Sequence, residues 1–497
     1  MTEVAPELRA FAPWVQKWFH QRFGQPTPAQ ALGWPPIIAH ENALLLAPTG
    51  SGKTLAAFLW GIDSIYRELK EGIAGQGVRL LYVSPLKALN NDIERNLREP
   101  LAGVRSAAGE MGEALPALHT AVRTGDTPSS ARVRMAKQPP HILITTPESL
   151  YLMLTSRHAG KMFSGLRTVI VDEIHSLAGN KRGVHLALSL ERLERVAGRP
   201  VQRIGLSATQ RPIEEIARFL GGQVWAGGRA GARLLPRPVT IVDAGWKKPT
   251  DLQVVTVVPN FAALPDNSIW PSVVEKVVEL IRAHRTTLIF ANSRRLAERF
   301  SEFLNQHFGP GVIRAHHGSM SKDVRHELEQ ALKDGRLPAL VGTSSLELGI
   351  DIGSVDLVVQ LQSPKGVTQG LQRVGRSGHL VGQTSVGRIF ATFPEDLMES
   401  AVIAREMLAG EVEPTHTPRL CLDVLAQQIV AAVATESWDA KALWNLFRQA
   451  YPYQELTWKL FSSVVEMVSG RYPAEAFREL RARIGWDRVN DRLAALP

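Results

Sequence analysis

The stretch APTGSGKT, Ala47 to Thr54, follows the apolar run NALLL and precedes the helical pattern LAAFLWGIDSIYREL. Small residues let backbone N–H groups approach a phosphate, and a helix that starts at such a loop adds a dipole that favours anions. Lys53 can then reach the β- and γ-phosphates of a nucleotide, and the Thr54 hydroxyl can bind Mg²⁺. The stretch therefore predicts a phosphate-binding loop in a parallel αβ sheet, although Ala47 replaces the first glycine of the strict pattern.

A second stretch, VIVDEIH (Val169 to His175), completes this expected site. A buried strand delivers Asp172 and Glu173 to its carboxyl end, where the ligands of parallel sheets bind. Asp172 is expected to hold Mg²⁺, directly or through water, and Glu173 to orient and polarise the attacking water. Two adjacent acids after a strand are often only a solvated turn, but the phosphate-binding loop in the same block favours the functional interpretation.

Composition and strand pattern divide the chain into three parts. Its 497 residues exceed what one hydrophobic core supports. Strand-like runs alternate with helical stretches in residues 1–235 and again in 236–397, whereas 398–497 is mainly helical. The Gly-, Arg- and Pro-rich stretch 227–238 is expected to be the loop that ends the first domain.

Charge and cysteine content narrow the class of protein. The net charge of +9 and pI of about 9.7 favour a polyanionic partner. The single cysteine, Cys421, excludes an internal disulfide framework. Neither a secretory signal nor an apolar run near eighteen residues is visible, so we expect a cytoplasmic protein without a membrane partner.

Several motifs in order carry a family resemblance. PTPAQ, APTGSGKT, SPLKAL, RTGDT, TTPESL, DEIH and SAT resemble the first motor domain of superfamily 2 helicases of the DEAD/DEAH type. TTPESLYLML, GNKRGVHLALSLERL and QRIGLSAT resemble, more narrowly, the N-terminal core of the Lhr (large helicase-related) branch, and the resemblance covers roughly residues 20–497. It implies an α/β fold of two tandem RecA-like P-loop domains followed by a winged helix.

The resemblance also implies the site residues, with ATP and Mg²⁺ as cofactors. The expected catalytic residues are Lys53, Asp172, Glu173, His175, Arg373 and Arg376. The expected nucleotide contacts are Gln30, Gly50, Ser51, Gly52, Lys53, Thr54, Asp172, Glu173, Gly349, Ile350, Asp351, Arg373 and Arg376. Of these, Gln30 is expected at the adenine edge and Gly349 to Asp351 near the ribose. Thr54 and Asp172 are the expected Mg²⁺ ligands. The expected nucleic-acid contacts are Pro85, Lys87, Thr124, Thr127, Thr146, Ser293, Arg294, His317 and Thr343. His175 and the Ser207–Thr209 segment are expected to link the nucleotide site to the domain interface.

The second block contains GLQRVGRSGH, Gly370 to His379, but no phosphate-binding loop. Other proteins with a phosphate-binding loop, such as kinases and small GTPases, can function with one αβ block. The presence of a second block therefore favours a nucleotide-driven motor protein. In the resembled family this domain closes over the nucleotide, and a guanidinium from it stabilises charge on the γ-phosphoryl group. Motif position favours Arg376 as this arginine finger, with Arg373 in support across the cleft. His379 stands where most superfamily 2 members have a second arginine, which leaves its contact with phosphate open.

Two further segments allow more than one interpretation. The HHGS segment, His316 to Ser319, could bind zinc, but a phosphate contact is favoured because no further ligand has metal-like spacing. The last block predicts three helices and a hairpin, a winged helix that either contacts DNA or buttresses the motor domains. Because the expected wing strand nearly reaches Pro497, we expect this domain to be cut short and the chain to be part of a longer protein.

The sequence thus predicts a monomeric ATP-dependent helicase of Lhr type that acts in DNA repair. It would move 3′-to-5′ on single-stranded DNA and unwind DNA or RNA:DNA duplexes, a polarity that only the resemblance implies. Two alternatives remain open, an RNA-directed helicase and an ATP-gated clamp that binds nucleic acid without unwinding it.

Overall fold

The computed structural model describes residues 5–48, 50–73, 77–208, 211–227, 233–245, 249–264, 267–347, 353, 355–378, 383–471 and 481–496. They form two RecA-like αβ domains and a C-terminal winged helix, the predicted fold class. Within these residues no helix combines the length and the apolarity needed to cross a membrane.

The first domain is built on a sheet that, in the described residues, contains seven parallel strands in the order β3-β4-β2-β5-β6-β1-β9. Successive side chains alternate between its faces, so Ala43 and Leu45 enter one hydrophobic core while Leu44 and Leu46 enter the other. The strands are β1 (Ala43–Leu46), β2 (Leu80–Val83), β3 (Thr120–Arg123), β4 (Ile142–Thr145), β5 (Thr168–Val171), β6 (Gln202–Ser207) and β9 (Thr240–Asp243).

Helices cover both faces of this sheet. Helices α1 to α4 pack on the core that contains Ala43 and Leu45, and helices α5 to α10 pack on the core on the opposite face. The helices are α1 (Pro13–Phe23), α2 (Pro28–Ile38), α3 (Lys53–Lys70), α4 (Lys87–Gly109), α5 (Ser129–Lys137), α6 (Pro147–Leu154), α7 (Ala159–Phe163), α8 (His175–Ala178), α9 (Lys181–Ala197) and α10 (Ile213–Gly221).

The end of the first domain differs from the expected boundary at residue 235. Strand β9 pairs in parallel with β1, so the first sheet continues to Asp243. The stretch expected to be a loop instead contains β8 (Arg233–Pro236), which pairs antiparallel with β7 (Gln223–Ala226). Apolar residues in β8 and β9 allow strand pairing despite the glycines, arginines and prolines around them, a pairing that local composition did not reveal.

The second domain has a parallel sheet in the order β10-β15-β14-β11-β13-β12, as far as the structure describes it. Its strands are β10 (Thr250–Val255), β11 (Thr287–Phe290), β12 (Arg314–His316), β13 (Ala339–Gly342), β14 (Leu357–Leu361) and β15 (Ser385–Phe390). Its helices are α11 (Trp270–Ala283), α12 (Arg294–Phe308), α13 (Lys322–Lys333), α14 (Val367–Val374) and α15 (Pro394–Ala409). Two cores again lie on opposite faces of the sheet.

The winged helix is fused to the first domain rather than separate from it. Its helices α16 (Leu422–Val433), α17 (Ala440–Phe447) and α18 (Trp458–Val468) pack with β16 (Trp438–Asp439), β17 (Ile484–Asp487) and β18 (Arg492–Ala495). Buried residues of all three helices belong to the hydrophobic core that also contains α9 and α10 of the first domain. The second domain contributes no described residue to this core.

A buried polar network reinforces this fusion. Arg192 of α9 donates to Gln428 Oε1 at 2.8 Å and to the Ala431 carbonyl at 3.2 Å. Gln428 Nε2 in turn donates to Ser189 Oγ at 3.0 Å. Burial lowers the pKa of Arg192 to about 10, which leaves it protonated at neutral pH. Because both partners are buried and mutually satisfied, the network fixes α16 on α9.

Candidate nucleotide and nucleic-acid site

The phosphate-binding loop connects β1 to α3, as the sequence predicts. Gly50 and Gly52 have φ values of 81° and 80°, a left-handed backbone that glycine adopts without strain. Lys53, the first residue of α3, is buried, and its Nζ donates to the Ala47 carbonyl at 3.1 Å. Ser51 Oγ is buried and finds no hydrogen-bond partner among the described residues. A lysine and an unsatisfied hydroxyl at a helix N-terminus form an arrangement suited to phosphate.

Gln30 lies against this loop rather than in open space. Its side chain completes a capping box with Thr27 at the start of α2, and its Nε2 lies 3.4 Å from the Gly52 carbonyl. Thr27 Oγ1 also donates to the Ser51 carbonyl at 2.7 Å. A Cβ on Gly52 would meet Gln30 Nε2 at 2.6 Å, so this close approach requires glycine. An adenine contact by Gln30 stays a prediction.

Asp172 and Glu173 follow β5 and face the loop from the neighbouring part of the sheet. Asp172 Oδ1 accepts the Glu173 N–H at 2.8 Å, and Oδ2 accepts the Tyr82 hydroxyl. Burial and the adjacent Glu173 raise the pKa of Asp172 to about 6, while Lys53 opposes this shift. Tyr82 was not predicted as a site residue, because a tyrosine inside a strand usually indicates packing.

The residues present fit a magnesium ion. Asp172 and Thr54 supply the oxygen donors that Mg²⁺ prefers. Burial, and next the repulsion between Asp172 and the adjacent Glu173, raise the pKa of Asp172, and a bound cation would favour the charged carboxylate. When bound with nucleotide, the ion would neutralise charge on the phosphate oxygens.

His175 lies between the candidate nucleotide site of the first domain and the second domain. Its Nδ1 lies 3.2 Å from Ser207 Oγ and accepts the Ala208 N–H at 3.4 Å. Its Nε2 lies 3.4 Å from Glu173 Oε2 and 2.7 Å from the amide nitrogen of Gln372 in the second domain. Burial lowers the pKa of His175 to about 4, so the imidazole is neutral at physiological pH. Glu173 and the second domain therefore meet at one neutral histidine.

The two arginines of the opposing segment are both buried in the second domain. Arg373 donates through Nε to Glu347 at 2.6 Å and through its NH1 nitrogen to Gln360 at 2.8 Å. Arg376 donates to the Glu347 carbonyl at 2.7 Å. These contacts lie within the second domain, so Arg373 would have to break some of these hydrogen bonds before its guanidinium could contact a phosphate. The phosphate contacts of both arginines stay predictions.

The predicted strand contacts of the first domain gather at one end of its sheet. Pro85, the Thr124–Thr127 turn and Thr146 follow β2, β3 and β4, which are adjacent in the sheet. Lys87 is exposed and pairs with Asp126 at 2.6 Å. Arg182 at the start of α9 joins two of these loops, because it donates to the Pro85 carbonyl at 2.9 Å and to Glu148 at 2.7 Å.

The second domain repeats this arrangement. Ser293, His317 and Thr343 follow β11, β12 and β13, which are also adjacent in their sheet. Ser293 caps α12, and Arg294 donates to Ser319. His317 Nε2 lies 2.9 Å from Glu298, and the described residues contain no group of three His, Cys, Asp or Glu side chains placed to hold a metal ion. The predicted strand contacts therefore lie at the carboxyl ends of neighbouring strands in both sheets.

Residues 413–417, which we call the strap, lead from the second domain to the winged helix and contact both αβ domains. Glu413 accepts bonds from the backbone of Val367 and Thr368, so it caps the N-terminus of α14. Burial opposes ionisation of Glu413, yet these bonds hold its pKa below the usual range. Two residues later, Thr415 N donates to the Arg211 carbonyl of the first domain at 2.8 Å. The strap thus links α14, the helix that contains Arg373, to the segment of the first domain that follows Ser207.

Several predicted residues cannot be placed. Thr209, the ribose segment Gly349 to Asp351 and His379 lie outside the described residues. Other residues that the geometry brings into the site, namely Tyr82, Arg182, Glu347, Gln372 and Glu413, were not predicted. Gln372 stands next to Arg373 inside the quoted stretch GLQRVGRSGH, and its polar side chain was the available signal. The signal for Glu347 was its place between Thr343, an expected strand contact, and the expected ribose segment that begins at Gly349. Glu413 carried no such signal, because its cap on α14 spans 46 residues of sequence.

Comparison with known proteins agrees with this architecture. The DEAD/DEAH box helicase family matches residues 27–216, the helicase conserved C-terminal domain matches 272–380, and the winged-helix domain of large helicase-related proteins matches 405–495. The ATP-dependent helicase Lhr-Core of Methanocaldococcus jannaschii is 44% identical over 92% of this chain. The chain belongs to the large helicase-related (Lhr) family.

A further curated Lhr protein and a solved Lhr structure are similar over nearly the whole chain. The Lhr helicase and probable uracil glycosylase of Mycolicibacterium smegmatis is 46% identical over all of it. A structure of the helicase Lhr of Mycobacterium smegmatis bound to ssDNA and AMP-PNP superposes with a TM-score of 0.89 and 48% identity, over 99% of this chain and 61% of that one. The present Lhr chain spans 34% of the Mycolicibacterium protein and 52% of the Methanocaldococcus protein.

Proposed function

We propose that this Lhr chain is a nucleic-acid-dependent ATPase that translocates 3′-to-5′ on single-stranded DNA and unwinds DNA or RNA:DNA duplexes. The observation that carries this proposal is the contact between His175 and Gln372. It brings the segment that follows Asp172 and Glu173 in the first domain against α14, the helix of the second domain that contains Arg373. The predicted strand contacts, which follow adjacent strands in each sheet, would form a path for the tracked strand.

Each cluster of residues has a separate task in this proposal. The phosphate-binding loop with Lys53 and Thr54 holds the triphosphate, and Glu173 orients the attacking water. Closure of the second domain brings Arg376 to the γ-phosphoryl group, where charge develops in the transition state. Because strand contacts lie on both domains, cycles of closure and opening would move the strand by steps.

The finer parts of the proposal concern setting and substrates. ATP with Mg²⁺ is the proposed cofactor, and a monomer acting in DNA repair in the cytoplasm is the proposed setting. The solved relative bound to ssDNA and AMP-PNP supports single-stranded DNA and a nucleotide as ligands. The basic net charge supports contact with a polyanion.

Strand displacement on tailed duplexes tests the proposal. We expect ATP-dependent displacement from 3′-tailed DNA and RNA:DNA hybrids, and none from 5′-tailed ones. Lys53→Ala is the matched control, because it should abolish turnover while preserving single-strand affinity in low salt. Displacement only from RNA duplexes would identify an RNA-directed helicase. ATP-dependent binding without any displacement would identify a clamp.

A further inference from the structure

The feature behind this inference is Glu347, a buried acid in the second domain that no part of the proposed function uses. It follows β13 and the short turn of 3-10 helix Ser344–Leu346, and only 7% of its surface is exposed. Its carboxylate accepts bonds from Nε and NH2 of Arg373, and its backbone carbonyl accepts a bond from Arg376 at 2.7 Å. One residue therefore holds both arginines of the opposing segment.

The remaining partners of Arg373 also belong to the second domain. Its NH1 nitrogen donates to Asn292 at 3.1 Å and to Gln360 at 2.8 Å, and its guanidinium carbon lies 5.4 Å from the centre of the Phe290 ring. All three guanidinium nitrogens are thus engaged inside the domain. A buried ion pair with these extra bonds is costly to break by removing one partner, so Arg373 is placed as an anchor.

We propose that Glu347 is a positioning residue for the arginine finger. Its carboxylate anchors Arg373 within the second domain, its carbonyl orients Arg376, and Arg376 alone approaches the γ-phosphoryl group. This proposal rests on the proposed ATPase function. It assigns Arg373 and Arg376 different roles, although both are buried arginines in the same glycine-rich segment.

The position of Glu347 also suggests how the nucleic acid influences hydrolysis. Thr343, a predicted strand contact, stands four residues earlier and connects to Glu347 through a single turn of 3-10 helix. Leu346 in that turn is fully buried, which limits independent movement of the two ends. A shift at Thr343 on strand binding would therefore be transmitted to the Glu347 carbonyl and to Arg376.

The test uses the isosteric variant Glu347→Gln, with Asp251→Asn as the matched control. Asp251 pairs with Arg388 in the same domain at 2.8 Å, between β10 and β15. With saturating single-stranded DNA, we expect Glu347→Gln to lower kcat at least about tenfold, because a small misplacement of a reacting group has large kinetic effects. KM for ATP should change less than about threefold, since the groups that bind ATP in the ground state are intact. Asp251→Asn should have wild-type kcat.

A double variant separates positioning from a general structural role. If Glu347 acts through Arg376, adding Glu347→Gln to Arg376→Ala should lower kcat by less than about twofold further, because residues that act as a unit are non-additive. Should Glu347→Gln fail to fold, Glu347→Asp retains the charge and retracts the carboxylate, and it should lower kcat with a wild-type melting temperature.

The outcomes distinguish this proposal from the proposed function. A wild-type chain that hydrolyses ATP, with Glu347→Gln or Glu347→Asp turning over at the wild-type rate, would overturn only the role of Glu347. Multiplicative effects of Glu347→Gln and Arg376→Ala would also overturn it. A wild-type chain without any DNA-stimulated hydrolysis would overturn the proposed function, and the positioning role with it.

Discussion

Glu173 combines the chemistry of its carboxylate with a strained backbone. It is buried beside Asp172 and adopts a φ of 46°, a left-handed conformation that is unfavourable for a residue with a Cβ. Strain of this kind persists where surrounding contacts enforce it, and it concentrates at functional sites. Here the Asp172 carboxylate, which accepts the Glu173 N–H, is one such contact.

Glu173→Gln should therefore retain ATP and strand binding but hydrolyse ATP at least about a hundredfold more slowly, because the water loses its orienting base. Steady-state hydrolysis with saturating single-stranded DNA measures the effect. Glu214→Gln, an exposed acid of the same domain, is the control and should keep the wild-type rate. A Glu173→Gln variant with near wild-type turnover would move the catalytic role to another residue.

Asp63 makes the stability of the first domain depend on pH. It is fully buried in α3, accepts the Ala12 N–H and pairs with Arg67 at 2.8 Å. Burial nevertheless raises its pKa to about 6, against 3.8 in an unfolded chain. The unfolded state therefore ionises first, and Asp63 lowers the free energy of unfolding as pH rises from about 4 to 6, by about 3 kcal/mol in total.

Asp63→Asn removes this titration. The melting temperature of Asp63→Asn relative to wild type should rise between pH 4 and pH 7, because only the wild-type chain acquires the buried charge. Thermal denaturation at both pH values checks the expectation, and Asp251→Asn, at an acid less than half exposed to solvent but outside the core, should show no such rise. A difference between Asp63→Asn and wild type that is independent of pH would contradict it.

What the sequence could predict at the residue scale depends on how far apart the partners lie in the chain. Lys53, Thr54, Asp172 and Glu173 stand in contiguous motifs at strand ends, so local pattern sufficed to predict a shared site for them. The contacts of Tyr82 with Asp172 and of Gln372 with His175 span 90 and 197 residues. Such pairings arise only when the sheets assemble and the domains meet, so no local pattern encodes them.

At the scale of elements, α14 depends on a cap from outside its own segment. The helix has eight residues, begins after Gly366 and ends with Arg373 and Val374 in its last turn. Its N-cap, Gly366, has no side chain, and the Glu413 carboxylate takes over the capping role. An anion at a helix N-terminus also interacts favourably with the helix dipole.

Glu413→Ala should loosen α14 and lower DNA-stimulated kcat several-fold, because loss of a capping side chain costs about 1 kcal/mol. KM for ATP should change little, since Glu413 lies outside the phosphate-binding loop. Glu411→Ala is the matched control, an exposed acid two residues earlier in the same connection. Equal kcat values for Glu413→Ala and Glu411→Ala would show that the strap does not affect catalysis.

The elements also show where sequence patterning succeeded. The buried strands of both sheets were predicted from short apolar runs, and the winged helix from its helical periodicity. The strands of the αβ domains that were missed are partly exposed edge segments without a continuous apolar run, namely β3, β7, β8, β9 and β10. Edge strands take their structure from the neighbour they pair with, and here β9 needs β1 to complete the sheet.

At the scale of the whole molecule, the shared core makes the first domain and winged helix one mechanical unit. Ile429 of α16 is fully buried in that core. Ile429→Ala should lower the free energy of unfolding by about 2–4 kcal/mol, because it leaves a cavity in a packed interior. Hydrogen exchange should then accelerate in α9 as well as in α16. Leu408→Ala, at a residue 56% exposed on α15, is the control. Faster exchange confined to the winged helix would contradict a common unit.

This shared core has a consequence for biosynthesis. In chain order the second domain lies between the two segments that build the core, and a ribosome makes the first domain long before α16 emerges. Until then, the apolar surfaces of α9 and α10 that later contact the winged helix remain uncovered. A nascent chain in that state has a hydrophobic face available to chaperones or to neighbouring chains. The hydrophobic core of the first domain is therefore completed only after the second domain has been made.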